Sequence, residues 1–169
     1  FENLLASYNP ETQQTARKQT GSFYTPREIV QYMVDESLVT HLKRTVGNEL
    51  ESEYRKLLDY ADNEILLTEQ QKLAIMQSLY NCKILDPACG SGAFPVGVLQ
   101  QMVHILKQID PDNSRWKNML LQFAIDETSD AYLNSTAEER REAVADIERA
   151  FDENVNYPDY ARKLHLIEN

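Results

Sequence analysis

The sequence predicts an α/β fold that is mostly helical over these residues, and three observations carry that prediction. Apolar residues recur at helical spacing through most of the chain. One short apolar run, Cys82 to Leu85, breaks that spacing and reads as a buried strand. The run leads through "DPACGSG" into another helical pattern, so strand, acidic residue, Gly-containing turn and helix follow one another as in the first βα unit of an open α/β sheet.

Taken in order, residues 1–20 are polar and read as a short helix followed by a loop. In "FYTPREIVQYMV", Thr25 suits a helix cap, Pro26 the first turn, and Glu28 sits three residues after the cap. Ile29, Val30, Met33, Val34, Leu38 and Leu42 then form one apolar face, which predicts a helix over 26–45. A second helix is expected over 49–60. Thr68 with Gln71 repeats the capping signal ahead of a third. Pro87 ends the strand, since it continues neither a ladder nor a helix interior. Helix returns from Ala93 to Ile109, with Val96, Leu99, Val103 and Leu106 on one face. "DPDNS" interrupts it. Residues 114–134 read as helix with a break near Asp126, Thr136 and Glu139 cap another to about Phe151, and Pro158 opens a last helical segment carrying Tyr160, Leu164 and Ile167. One strand alone would leave backbone donors and acceptors unpaired. Either further strands lie among these segments or the chain stops before the sheet does.

Bulk properties narrow the class. With 169 residues the chain can build one real core, and 42% hydrophobic with 26% charged residues is ordinary for a soluble globular domain. No apolar run approaches a membrane span, and the start lacks a signal-peptide layout. The chain opens on Phe1 rather than Met, which reads as a segment of a longer polypeptide. Cys82 and Cys89 do not look like a disulfide framework, so a reduced, cytoplasmic protein is expected. A net charge of −10 argues against this segment being a main nucleic-acid grip. His41, His104 and His165 fall on separate segments without metal-ligand spacing, so no metal site is expected.

The turn invites a ligand, although a bare Gly-Ser-Gly also serves as a tight turn holding nothing. Gly90 and Gly92 let backbone approach a ligand closely, and Asp86 stands at the strand's C-terminal edge, where open sheets bind ligands. A phosphate loop needs a Lys after its last glycine, and none follows; a dinucleotide loop needs a third glycine where Pro95 stands. Asp86 would also repel a pyrophosphate. A cofactor with an ammonium group and no phosphate fits better, and S-adenosylmethionine has an ammonium, a sulfonium and no phosphate.

"LDPACGSGAF" resembles the cofactor motif of adenine-specific DNA methyltransferases that modify the exocyclic amino group. "TGSFYTPREIVQYMV" resembles the motif preceding it where the cofactor-binding half comes first, and "DYARKLHLIEN" is similar to the helix before their second core strand. Among these, the chain resembles the large fused type II restriction-modification enzymes. The resemblance implies a Rossmann-like S-adenosylmethionine-dependent fold. Residues 1–22 would form an N-terminal helical or loop segment and 23–169 a partial methyltransferase domain with a helical insertion at about 112–157. It implies that Thr25 contacts the cofactor's methionine carboxylate, with Tyr24 and Pro26 shaping that wall. It also implies that Asp86 binds the ammonium, directly or through water, that Pro87, Ala88, Cys89 and Gly90 line the methionine moiety, and that Phe94 packs near it. Thr25 as a plain helix cap is an equal reading. Cys89 sits in the cofactor loop, and methylation of an amino group needs no covalent intermediate, so a packing role is expected for it.

The family's catalytic motif, [DNS]-P-P-[YFW], is absent from this chain: Asn9-Pro10 and Tyr157-Pro158 each supply a single Pro. No catalytic residue is therefore assigned, and DNA would be held by parts outside these residues. Two other readings stay open. One is a non-catalytic helical interaction module that keeps a methyltransferase-like turn. The other is an amino-methyltransferase acting on RNA or protein glutamine.

Overall fold

The computed structural model describes residues 8–9, 14–15, 25–61, 63–130, 137–153, 159 and 166–167. They form two two-residue strands, β1 (Tyr8–Asn9) and β2 (Gln14–Thr15), and six α-helices. The helices are α1 (Arg27–Thr45), α2 (Glu51–Leu58), α3 (Glu69–Tyr80), α4 (Ala93–Ile109), α5 (Ser114–Asp130) and α6 (Ala137–Glu153). A 3-10 turn, Asn48–Leu50, leads into α2.

The start differs from the helix expected there. β1 and β2 pair antiparallel, Tyr8 opposite Thr15 and Asn9 opposite Gln14. Asn9 precedes a proline, which disfavours helical backbone at that position, and no apolar stripe supports a helix.

α1 crosses α4, and α2 packs against both. Val30, Val34, Leu38, Val39 and Leu42 of α1 are buried, as are Tyr54, Leu57 and Leu58 of α2. Ile75, Met76 and Leu79 of α3 join Met102, Ile105, Leu106 and Ile109 of α4 in the same core. Removing that apolar area from water is the main drive to this arrangement. Two residues expected on the buried face of α1, Ile29 and Met33, are each 49% exposed, and so is half of Val96 on α4. Met33 and Val96 line hollows at the Asp86 turn rather than the helical core.

α5 and α6 form an antiparallel pair docked through Trp116, Met119, Leu120 and Phe151. Trp116 is fully buried, and Tyr80 meets it edge-on at 6.1 Å between ring centroids. α5 runs unbroken past Asp126, because no residue there removes a backbone donor. Thr136, Tyr160, Leu164 and His165 lie outside the described residues.

Residues 82–86 belong to no helix and no ladder, so the expected strand is not formed as one. Among the described residues neither Ile84 nor Leu85 has a backbone hydrogen-bond partner. A strand is defined by its neighbour, and no described strand pairs with these residues. No described helix is long and apolar enough to cross a membrane.

Candidate functional site

The turn after residue 86 has the backbone its glycines suggest. Gly90 has φ +52° and Gly92 φ +81°, both left-handed. Gly92 is the N-cap of α4, and its N–H donates to the Cys89 carbonyl at 2.7 Å. Pro95 falls in the first turn of α4, where a backbone donor would have no intrahelical acceptor. The turn therefore delivers the chain into α4 with Ala93 and Phe94 N–H groups leading.

Asp86 is half-buried. Its Oδ1 accepts a hydrogen bond from the Ala88 N–H at 3.0 Å, which folds the acidic residue back over the turn. Its Oδ2 is buried with no partner. A carboxylate oxygen without a donor carries an uncompensated desolvation cost, and a ligand ammonium is the type of group that relieves it.

α1 begins one residue later than its sequence suggests. Pro26 is the N-cap, its carbonyl accepting from Ile29 and Val30 N–H groups at 3.1 Å, and no side chain caps the helix. Thr25 stands just outside, exposed, so its hydroxyl is not spent on the helix and the capping box with Glu28 does not form. Proline has no N–H, and its fixed φ sets the first turn without help from a side chain.

The predicted residues gather around the N-terminal turn of α4, in three adjoining hollows. Thr25, Ser91, Gly92 and Ala93 line one of about 360 Å³, together with Arg27 and Gln31. Asp86, Pro87 and Phe94 line a second of about 500 Å³, walled by Met33 and His41 of α1. Asp86 and Cys89 line a third of about 570 Å³, together with Ile84 and Leu85. Val34 is shared by the first and second, and Pro95 by the second and third. Ala88 and Gly90 are exposed on the turn, and Tyr24 lies outside the described residues.

Cys89 is exposed and Cys82 half-buried; both are free thiols, and burial pushes the Cys82 thiol up from its ordinary value. No cluster of metal-binding side chains occurs among the described residues. His41 Nε2 lies 3.0 Å from Ser78 Oγ, which is 2.6 Å from Thr45 Oγ1. The Thr45 hydroxyl is also 2.9 Å from the His41 carbonyl, and His41 Nε2 is 3.1 Å from the Ser78 carbonyl. The trio ties α1 to α3.

Sequence reasoning missed Arg27, Gln31, Gly97 and Gln100, all of which line the Thr25 hollow. A glycine inside the helical run 93–109 was the available signal for Gly97, since it marks close approach of another backbone or side chain.

Against known proteins, the chain is similar to one described as a "Putative type II restriction enzyme and methyltransferase" from Methanocaldococcus jannaschii. The two are 28% identical over 105 residues, which is 55% of this chain and 9% of that protein. The chain thus spans less than a tenth of that relative's length. No family model matches the chain, and no solved structure matches it.

Proposed function

We propose that this chain forms one wall of an S-adenosylmethionine site in a DNA methyltransferase of a restriction-modification system, acting on the exocyclic amino group of adenine. The observation that carries the reading is the partnerless buried Asp86 Oδ2 at a turn that opens α4 with two left-handed glycines. The similarity to a protein named as a restriction enzyme and methyltransferase supports the reaction class.

The residues present fit the cofactor. Asp86 Oδ2 would accept a hydrogen bond from the ammonium, while Oδ1 of the same carboxylate stays occupied by the Ala88 N–H. Thr25, with its hydroxyl outside the helix, faces the same hollow as Ser91 and Gly92 and donates to the methionine carboxylate. The leading N–H groups of α4 favour negative charge at that end of the helix. When bound, the cofactor supplies an electrophilic methyl group for direct in-line displacement. This chain binds and orients it; the polar and aromatic residues that hold the target base in this chemistry have no counterpart string in the 169 residues.

The test is a calorimetric titration of S-adenosylmethionine into the full-length protein and its Asp86→Ala variant. The reading expects the binding heat to disappear in the variant. Equal affinity would remove Asp86 from the cofactor wall and leave the helical interaction module as the better account.

A further inference from the structure

A second constellation lies at the far side of the Thr25 hollow. Tyr60, in the loop after α2, is 65% exposed, yet its hydroxyl end is fixed. It donates to Gln101 Oε1 at 2.8 Å. Gln101 is fully buried, and its Nε2 donates to Asp35 Oδ1 at 2.6 Å and to the Leu58 carbonyl at 3.3 Å. The ring stacks on His104, with centroids 4.1 Å apart and planes 26° from parallel. His104 is held in turn through Nε2, which either donates to the Asp59 carbonyl at 3.0 Å or accepts from Gln108 Nε2 at 2.7 Å, according to its tautomer. An exposed aromatic ring locked at its hydroxyl end and on one face is a pre-organised stacking surface. Such rings bind planar ligands at little conformational-entropy cost.

The hollow beside this stack holds about 660 Å³, within the range of small-ligand sites. Asn63, Gln100 and Gln108 line it. The Gln100 carboxamide, Asn63 Oδ1 and Gln108 Oε1 have no protein partner among the described residues. Carboxamides offer the donor and acceptor pairs that read the edges of bases. Charge disfavours a phosphate here. Asp35 and Asp59 are close by, and Arg55 is taken up by Glu36 and Glu51. The Lys107 ammonium, at the rim, has Asp159 at 3.8 Å.

We propose that the hollow at Tyr60 is a nucleobase site, in which an uncharged base stacks on the Tyr60 ring and is hydrogen-bonded by the carboxamides of Gln100, Asn63 and Gln108. Gln100 lines both this hollow and the Thr25 hollow, so a bound base adjoins the cofactor wall proposed above. The site itself needs neither Asp86 nor the cofactor.

Adenosine, by calorimetry, and a labelled single-stranded DNA oligonucleotide at low salt, by fluorescence anisotropy, are the two probes. Stacking on one aromatic side chain predicts that Tyr60→Ala weakens binding by about tenfold or more. Tyr60→Phe, which keeps the ring, stays within roughly threefold. Asp86→Ala leaves base binding unchanged, and Tyr60→Ala leaves S-adenosylmethionine binding unchanged, so either proposal fails without the other. Thermal unfolding of Tyr60→Ala checks that the fold is retained, since the change also removes the donor to buried Gln101 Oε1. Binding of both probes assigns the site to a base within a strand, and binding of adenosine alone assigns it to a free nucleoside. No saturable binding of either probe, or equal binding by Tyr60→Ala in a folded protein, overturns the proposal.

Discussion

A methyl group built on Gly97 would stand 3.1 Å from Val30 Cγ1 and 3.4 Å from Val34 Cγ2. Here α4 packs directly on the buried face of α1. Exchanging Gly for Ala inside a helix contributes about 1 kcal/mol by propensity. Crowding a packed contact costs about 1–3 kcal/mol. Val30 is buried and has little room to give, so crowding prevails: Gly97→Ala lowers stability by roughly 1 kcal/mol. Val30→Ala should then cost less in the Gly97→Ala background than in the wild type, by about 0.5–1 kcal/mol of coupling. Urea unfolding of the four proteins measures this. A Gly97→Ala protein stabilised by the whole propensity gain would mean that the helices are not in contact there.

Thr25 and Thr68 look alike in sequence and differ in structure. Thr68 Oγ1 accepts from Gln71 N–H at 3.2 Å, and Gln71 Oε1 accepts from Thr68 N–H at 2.8 Å, a complete capping box. Thr68→Ala should cost about 1 kcal/mol. Thr25 makes no capping bond, so Thr25→Ala should change stability by less than about 0.5 kcal/mol. If Thr25 holds the cofactor's carboxylate, the same change weakens S-adenosylmethionine binding. Chemical unfolding and calorimetry on both variants separate the two roles; a large stability loss at Thr25 would return it to capping.

What could be read from the chain follows the range of the forces involved. The box at Thr68 and the glycine turn are local, set by residues three or four apart, and both stand in the structure as their spacing suggests. The helical spacing of α1 located its buried side only in part. Val30, Val34 and Leu38 go inward, whereas Ile29 and Met33, equally apolar, stay half exposed, Met33 in the hollow beside residues 82–86. Hydrophobicity says that a side chain is suited to burial; it does not say which neighbour covers it. The strand at Cys82 illustrates the same limit, because β structure depends on a partner distant in sequence. The Tyr60–Gln101–Asp35 chain joins three separate segments, and no local pattern announces it.

The two left-handed glycines give a sharper expectation than packing does. A Cβ on Gly92 would meet nothing closer than Val96 Cγ2 at 3.9 Å, so the space is open and the cost of a side chain is conformational. Gly92→Ala should therefore lose roughly 1–2 kcal/mol, the usual penalty for left-handed backbone in an L-residue. Gly90→Ala, at φ +52°, should lose a similar amount. Gly92→Asn, which tolerates that region better, should lose less than Gly92→Ala. Equal stability of all three in urea would show that the turn relaxes to another conformation.

Glu53 makes the acid limb of stability predictable. It is nearly buried on α2 and accepts from Lys56 Nζ at 2.8 Å and from the Leu66 N–H at 2.8 Å. The Lys56 bond first, and the Leu66 bond after it, hold its carboxyl below the ordinary value. Glu36, Glu51, Asp59 and Glu69 are shifted the same way. For a carboxyl lowered in the folded state, the unfolded chain takes up protons first. The contribution is complete above the unfolded value of about 4.3 and drains away as pH falls through it toward the folded one. Asp110 opposes this: burial raises its carboxyl, so its effect favours the fold at low pH and is lost as pH rises through its folded value. The urea midpoint should therefore fall between pH 6 and pH 3. Glu53→Gln should be less stable at pH 7 by about 1–3 kcal/mol and show a shallower fall. Asp110→Asn, which keeps an acceptor for the Trp116 N–H now at 2.8 Å, should show a steeper one, because the opposing group is gone. A midpoint that stays level to pH 3 in the wild type would mean that these carboxylates are no better held in the fold than in the unfolded chain.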